Sequence, residues 1–499
     1  MFLTVRVRSV QVVSMKGWSD IKRWAVKWIE ENTARMAEMS DTLFEWAEPG
    51  LREYKSVKLL ADYLTRNGFR VEEGVAGMPT AFVAEWGNDG PVMGFFAEYD
   101  ATPGHSQKAV PYEAPAVPHG PGFTDAHNMI GVASCFTAVA LKETVVEHDI
   151  SARVRLLGTP AEKLCVGKPY MARDGLFDGM DALIAWHPGG PTTVLGEVWP
   201  LAYKSVLFNF SMERAAGGTS GDVSYPGALD AAVLMYNNVN FMKEHMPSLM
   251  RRGGSINEFM MTGGQATVAT PEFSQIVYCW RTRSQRDQEA ITEIVERCAR
   301  GAALVTGCRV ESRLLTAVRT GLPNSVLTEN MMENLREIGP PRHTEEDIDF
   351  ARKIQKNLGL EPMDHPYDET LTEPEHAYDS FHPADDVNEF TWHAPSARLY
   401  MSKSLAPVPG FRYPRWVVAA LCGTGATHRM GETAAKVMTA TALDLLENPE
   451  LLAKAREEFE RRKREHYEAP LIPDGLSPPI GLRWPEWVDR PGAEWWIPP

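Results

Sequence analysis

Between residues 18 and 70, apolar residues recur every three or four positions among charged ones, as in "WSDIKRWAVKWIEENTARM" and "EYKSVKLLADYL". That spacing places one apolar face on a helix. Ser19 followed by Asp20 supplies a cap and a first-turn acid. The pattern then changes to short continuous apolar runs, "PTAFVAEWG" and "GPVMGFFAEYD". Such runs, closed by acids and turn residues, predict buried strands. A Pro- and Gly-rich loop spans 101–122. After it, "MIGVASCFTAVALKETVVE" predicts a long helix, "ARVRLLGTPAE" a strand, "GKPYMARDGLFDGMD" a helix and "ALIAWHPGG" a strand. Strands alternating with helices specify an α/β fold built on a layered sheet.

From about residue 200 the texture differs. "YKSVLFNFSM" and "FSQIVYCWRTRS" predict strands, whereas "PGALDAAVLMYNNVNFMKEHM" and "RDQEAITEIVERCARGAALVTG" predict amphipathic helices. A β-α-β-β-α-β insert of ferredoxin-like type fits this stretch. The α/β texture returns after about 316 and ends in the helix "GETAAKVMTATALDLL". The expected division is 1–199 and 316–499 for the two segments of one domain, with 200–315 inserted between them. The Pro- and Trp-rich tail from 469 is expected to wrap the surface. No internal repeat or low-complexity segment interrupts this order.

With 499 residues the chain can bury a large core and more than one domain. Its formal net charge of −15 argues against a nucleic-acid partner and against an acidic membrane surface. A small anionic substrate stays open, because a few cations can invert the sign inside one cleft. The six cysteines (135, 165, 279, 298, 308, 422) form no C-x-x-C pair and read as reduced thiols, which suggests a cytoplasmic protein. No run of 18 apolar residues predicts a spanning helix. The opening "MFLTVRVRSVQVVSM" carries Arg6 and Arg8 and no small-residue cleavage site, so it reads as an extension, with Met15 an alternative start.

The candidate chemistry collects where strands end. Asp100, Glu162 and His187 close predicted strands, "GFTDAHN" holds Asp125 and His127 two positions apart, and His428 follows far along the chain. A carboxylate with two imidazoles suits a borderline divalent metal. An acid beside such a metal can act as general base on a bound water. His105, His119, His376, His382 and His393 carry no comparable pattern, and the cysteines read as core filler.

The segments "AEYDATPG", "GTPAE", "YMARDGLFDGMDALIAWHP", "GGQATVATPE", "REIGPPRHTEEDIDFARKIQ" and "AAKVMTATALDLL" occur in order. Together they resemble the zinc-dependent aminoacylase and carboxypeptidase family of metallopeptidases, in the p-aminobenzoyl-glutamate hydrolase branch, from about Trp18 to Tyr467. The resemblance implies a zinc-peptidase domain interrupted by a ferredoxin-like lid that usually dimerises. It also implies that Asp125 stands where the branch has a bridging cysteine, that His127 and His187 are metal ligands, and that Glu162 is the general base. A late metal-binding histidine corresponds to His428. Besides Asp125, the chain departs from the pattern at two further positions. Lys163 replaces the second glutamate of a Glu-Glu pair, and Gly217 replaces a lid histidine.

These departures lead to the following expectations. One divalent metal is held by Asp125, His127 and His187, with manganese favoured over zinc, cobalt or iron because a carboxylate replaces a thiolate. Glu162 and Asp100 are the catalytic carboxylates. Lys163, Arg281, Arg283 and His428 contact a small aromatic carboxylate. The reaction expected first is that of the 5-nitroanthranilate aminohydrolase type, in which an aryl amine leaves as ammonia. The alternative is an amidohydrolase acting on aroyl or acyl amino acids. An iron oxygenase and a non-catalytic binding protein are remoter readings. The partner expected, beside substrate, is a second copy of the chain.

Overall fold

The computed structural model describes residues 18–196, 201–212, 226–246, 254–263, 270–374 and 385–482. The first helical stretch is three helices: α1 (Asp20–Glu31), α2 (Thr33–Trp46) and α3 (Tyr54–Arg66). The Ser19 hydroxyl accepts the Lys22 N–H at 3.2 Å and starts α1. Ala47, in the left-handed region at φ 44°, ends α2. Strands β1 (Arg70–Glu73), β2 (Phe82–Trp86) and β3 (Val92–Ala97) follow, and every residue of β3 is buried.

Helix α4 (His127–Glu147) is apolar on all sides, and it is buried continuously from His127 to Leu141. A helix with no polar face belongs in a core. Its length and composition would also suit a membrane span, but its side chains pack inside the protein. Strand β4 (Arg153–Gly158), helix α5 (Gly167–Arg173), strand β5 (Ala182–Gly189) and the short β6 (Thr193–Val194) complete this segment. α5 is shorter than its pattern suggests, because Gly175 takes φ 75° and breaks the helix two residues past its end.

The next stretch is β7 (Ala202–Met212), α6 (Ala228–Glu244), β8 (Ser255–Thr262), β9 (Phe273–Thr282), α7 (Gln285–Thr306) and β10 (Cys308–Val318). The four strands form an antiparallel sheet in the order β10-β7-β9-β8. Helices α6 and α7 close a separate apolar core on it through Ala231, Met235, Ile291 and Val295. This is the ferredoxin-like lid.

The chain then adds α8 (Ser325–Ile338), α9 (Glu345–Asn357), β11 (Ser396–Ser402), α10 (Arg415–Leu421), α11 (Gly425–Glu447) and α12 (Pro449–Glu465). β11 joins the first sheet, whose order is β1-β2-β4-β3-β5-β11-β6. Its centre, β4-β3-β5-β11, is parallel. The large sheet therefore draws strands from both sides of the lid in sequence. The start of the tail lies on this domain, where buried Arg52 donates to the carbonyls of Ile480 and Leu482 at 3.0 Å.

Candidate active site

The four central parallel strands end side by side, and chemistry in such sheets gathers beyond their carboxyl ends. β3 runs into Glu98 and Asp100, β4 into Glu162 and Lys163, β5 carries His187, and β11 is followed by Lys403. Asp125 and His127 arrive from the start of α4. Three non-glycine residues here occupy the left-handed region: Ala126 (φ 48°), Ala161 (φ 56°) and Cys165 (φ 53°). Ala126 separates Asp125 from His127, and Ala161 and Cys165 bracket the turn that carries Glu162 and Lys163. Such conformations are costly and persist where surrounding structure imposes them.

The side chains face a cleft of about 810 Å³. Its floor includes Asp125, Glu162, Lys163 and His187, one wall runs from Pro188 to Gly196, and Arg281 faces it from the lid. Arg281 lies over the Tyr203 ring, 5.1 Å from its centroid.

His127 is fully buried, and its Nδ1 donates to Asp100 Oδ1 at 2.8 Å. That leaves Nε2 as the ring nitrogen turned to Lys163, Glu98 and Glu162. Asp100 Oδ2 takes the backbone N–H of Lys163 at 2.9 Å. Asp100 thus positions two parts of the site and does not face the cleft. His187 Nδ1 donates to the carbonyl of Pro188 at 2.6 Å, so its Nε2 is an acceptor. Burial, reinforced by Arg398, holds His187 well below the usual imidazole range, and it is neutral.

Lys163 Nζ lies 2.6 Å from Asp125 Oδ2, 2.7 Å from Glu162 Oε2 and 2.9 Å from His127 Nε2. Lys403 Nζ takes the other oxygen of Asp125 at 2.6 Å. Burial works against the Asp125 carboxylate, but Lys163 and Lys403 hold it well below the usual carboxyl range. Burial raises the Glu162 carboxyl above its usual range, against the pull of Lys163. A raised carboxyl suits proton transfer near neutral pH.

A second group lies directly behind. Glu98 Oε2 is 3.6 Å from His127 Nε2 and 3.9 Å from His187 Nε2. Glu98 Oε2 and His187 Nε2 are buried and have no hydrogen-bond partner among the described residues. Two facing acceptors need a donor or a cation between them. Glu98 is held from its other side by the buried Lys168, whose Nζ donates at 2.6 Å to both Glu98 Oε1 and Asp386 Oδ1. A carboxylate and two imidazoles with ligand atoms within 4.8 Å of one another fit a divalent metal.

The sequence-predicted residues divide accordingly. Asp125, His127, Glu162, Lys163, His187 and Arg281 come together at the cleft. Asp125, expected as a metal ligand, has each of its oxygens hydrogen-bonded by a lysine, and Glu98 is the carboxylate grouped with the two histidines. His428, on α11, pairs with Asp41 at 2.7 Å and is not among the cleft-lining residues. Arg283 lies in the turn after β9 and does not line the cleft either. His393 pairs with Asp178, and His105 Nδ1 lies 2.8 Å from the carbonyl of Pro103. Gly217, His376, Tyr378 and His382 lie outside the described residues.

Glu98, Lys168 and Lys403 belong to this cluster and are not singled out by the sequence reading. Glu98 sits inside "AEYDATPG", two residues before Asp100 and at the same strand end. Lys403 ends the apolar strand "ARLYMS" in the same way. A charge just past a buried parallel strand is the signal that could have found them.

No family model matches the chain. It is 28% identical over 484 residues to a p-aminobenzoyl-glutamate hydrolase subunit of Escherichia coli K12, covering 92% of this chain and 99% of that protein. It is 25% identical over 476 residues to the human Xaa-Arg dipeptidase, covering 89% and 93%. Among solved structures, an aminobenzoyl-glutamate utilization protein from Klebsiella pneumoniae superposes with a TM-score of 0.55 at 15% identity, over 83% of this chain and 98% of that one.

Proposed function

The chain belongs to the zinc-dependent aminoacylase and carboxypeptidase family of metallopeptidases and is a metal-dependent hydrolase of C–N bonds; from that premise we propose that its substrate is an N-acyl or N-aroyl amino acid, or a dipeptide, cleaved at the amide. The observation that carries this reading is the position of Glu162. Its Oε2 lies 3.4 Å from His127 Nε2, at the mouth of the Glu98–His127–His187 group and on the floor of the cleft.

The residues have separable tasks. Glu98, His127 and His187 would hold one divalent ion, which when bound supplies Lewis acidity and an acidified water. With no thiolate in this set, manganese stays ahead of zinc, cobalt or iron. Glu162 takes the proton of the attacking water and gives it to the leaving nitrogen as the amide C–N bond breaks. Asp100 fixes the ring of His127, and Lys168 fixes Glu98. Arg281 binds the substrate carboxylate from the lid. The apolar and glycine wall from Pro188 to Gly196 receives the acyl or aryl part.

The names of two relatives aligned over nearly their whole length support the amide reading, since both describe hydrolysis of an amide or peptide. Lys163 keeps the aryl aminohydrolase reading alive as the alternative. We also infer a homodimer through the lid. β8 ends the lid sheet with no further strand on its outer side among the described residues, and it exposes Phe259 and Met260. Tyr236 and Phe241 are exposed on α6.

The test is a substrate panel with the metal-loaded protein: aminobenzoyl-glutamate, benzoyl and acetyl amino acids, and dipeptides against nitro-substituted aminobenzoates. Free amino acid released from the first set supports the proposal. Ammonia from the aminobenzoates, with the amides intact, replaces it by the alternative.

A further inference from the structure

We infer that the ammonium of Lys163 is a resident cation, filling a position beside the Glu98–His187 pair that would otherwise take a second divalent ion. The inference rests on the metal-dependent reading of this cleft, but not on the bond cleaved.

Three acceptors converge on one nitrogen. Asp125 Oδ2, Glu162 Oε2 and His127 Nε2 surround Nζ at 2.6, 2.7 and 2.9 Å. With its other ring nitrogen on Asp100, the His127 nitrogen is the atom turned to Lys163, and it accepts from an ammonium, which has no lone pair to offer. Satisfying all three requires three N–H bonds, which only the ammonium form has. Two carboxylates and an imidazole on one point are also the donor set of a zinc- or manganese-type ion. The site is a cation site by its donors, and the cation is part of the chain.

The lysine is aimed there by its backbone. It sits in the 3-10 turn Glu162–Leu164, with left-handed residues Ala161 and Cys165 at both ends. Its own N–H is tied to Asp100 Oδ2. The same aspartate therefore orients the lysine and one of the groups that the lysine contacts. A second ion cannot occupy the point that Nζ already fills, because the ammonium takes up the same Asp125 and Glu162 oxygens. The acceptors left without a donor among the described residues, Glu98 Oε2 and His187 Nε2, approach His127 Nε2 or one another and are not among the three contacts of Lys163 Nζ. His127 Nε2 has one lone pair and stands between the two positions. An ion joining Glu98 and His187 can recruit it only by displacing Lys163 from its longest contact, leaving the ammonium on Asp125 and Glu162.

The experiment is metal counting without substrate. Chelator-stripped wild type, Lys163→Arg, Lys163→Glu and Lys163→Ala are saturated with Mn(II), or in a second series Zn(II), and bound ions per chain are measured by mass spectrometry of the desalted protein. Wild type and K163R are expected to saturate at a single ion, and K163E and K163A to gain another. A wild type that holds two ions overturns the inference, even if neither gain variant folds. So does a folded K163E and K163A pair with no gain. A wild type with no ion, and variants that acquire one, keep Lys163 as the resident cation and remove the Glu98–His187 ion from the account. None of these outcomes depends on whether amides or aryl amines are cleaved.

Discussion

At the residue scale the account turns on which carboxylate does what. Glu162, Asp125, Asp100 and Glu98 are similar letters in the sequence, and their partners separate them. Asp125 is neutralised by two lysines, Asp100 is committed to positioning, and Glu98 faces histidines. Only Glu162 is raised toward neutrality while lining the cleft. Glu162→Gln is expected to keep the fold and bound metal and to lose about 100- to 10,000-fold in turnover. Near-normal turnover in that variant removes Glu162 as proton carrier. Glu53 gives an independent check. Burial, with Asp100 nearby, pushes its carboxyl from 4.5 to about 8. Between those values the folded protein keeps a proton that the unfolded chain has lost. Glu53's contribution to stability is then complete below pH 4.5 and is lost as pH rises through about 8. Urea unfolding across that window should show the decline, and Glu53→Gln should flatten it. Sequence alone picks out Asp100 and Glu162 by their place after strands and Asp125 by its spacing from His127, and it passes over Glu98. It could not assign roles, because Lys403 and Lys168 reach the site from positions distant in sequence.

At the element scale the periodic helices and apolar strands were legible because one face or all faces are buried, as in α1 and β3. α5 was overestimated, since an apolar rhythm continues through Gly175 while the backbone does not. The packing of α4 against β3 sets the site's precision. A Cβ at Gly131 would lie 2.8 Å from the carbonyl oxygen of Glu98 and 3.2 Å from Leu60 Cδ1. The carbonyl belongs to a strand end and cannot swing away. Gly131→Ala is expected to force α4 and Glu98 apart, destabilising by about 1–3 kcal/mol. Ion affinity should fall with it. A variant with unchanged melting and unchanged metal binding would show that this contact has slack. Lys168 is buried between Glu98 and Asp386, so Lys168→Met strands two acids and should cost about 3–5 kcal/mol, read from urea unfolding.

At the scale of the whole molecule, the cleft needs both domains. Glu162 belongs to the large sheet and Arg281 to the lid, so substrate binding and chemistry are contributed by different units. Arg281→Ala is expected to raise KM for carboxylate substrates by about ten- to a hundredfold, the value of one charged hydrogen bond, with a smaller change in kcat. A fall in kcat alone would move Arg281 out of substrate binding. The lid was legible as a change of texture near residue 200, and its β-α-β-β-α-β order follows from alternating helical and strand periods. Which bond is broken was not legible, because amide and aryl amine hydrolysis use the same acids and histidines. Turnover in H₂¹⁸O followed by mass spectrometry of the products separates the two directly. The account predicts the label in the carboxylate of the released acyl or aroyl acid, with an unlabelled amino acid. Label on an aromatic ring carbon as hydroxyl, with ammonia released, would contradict it.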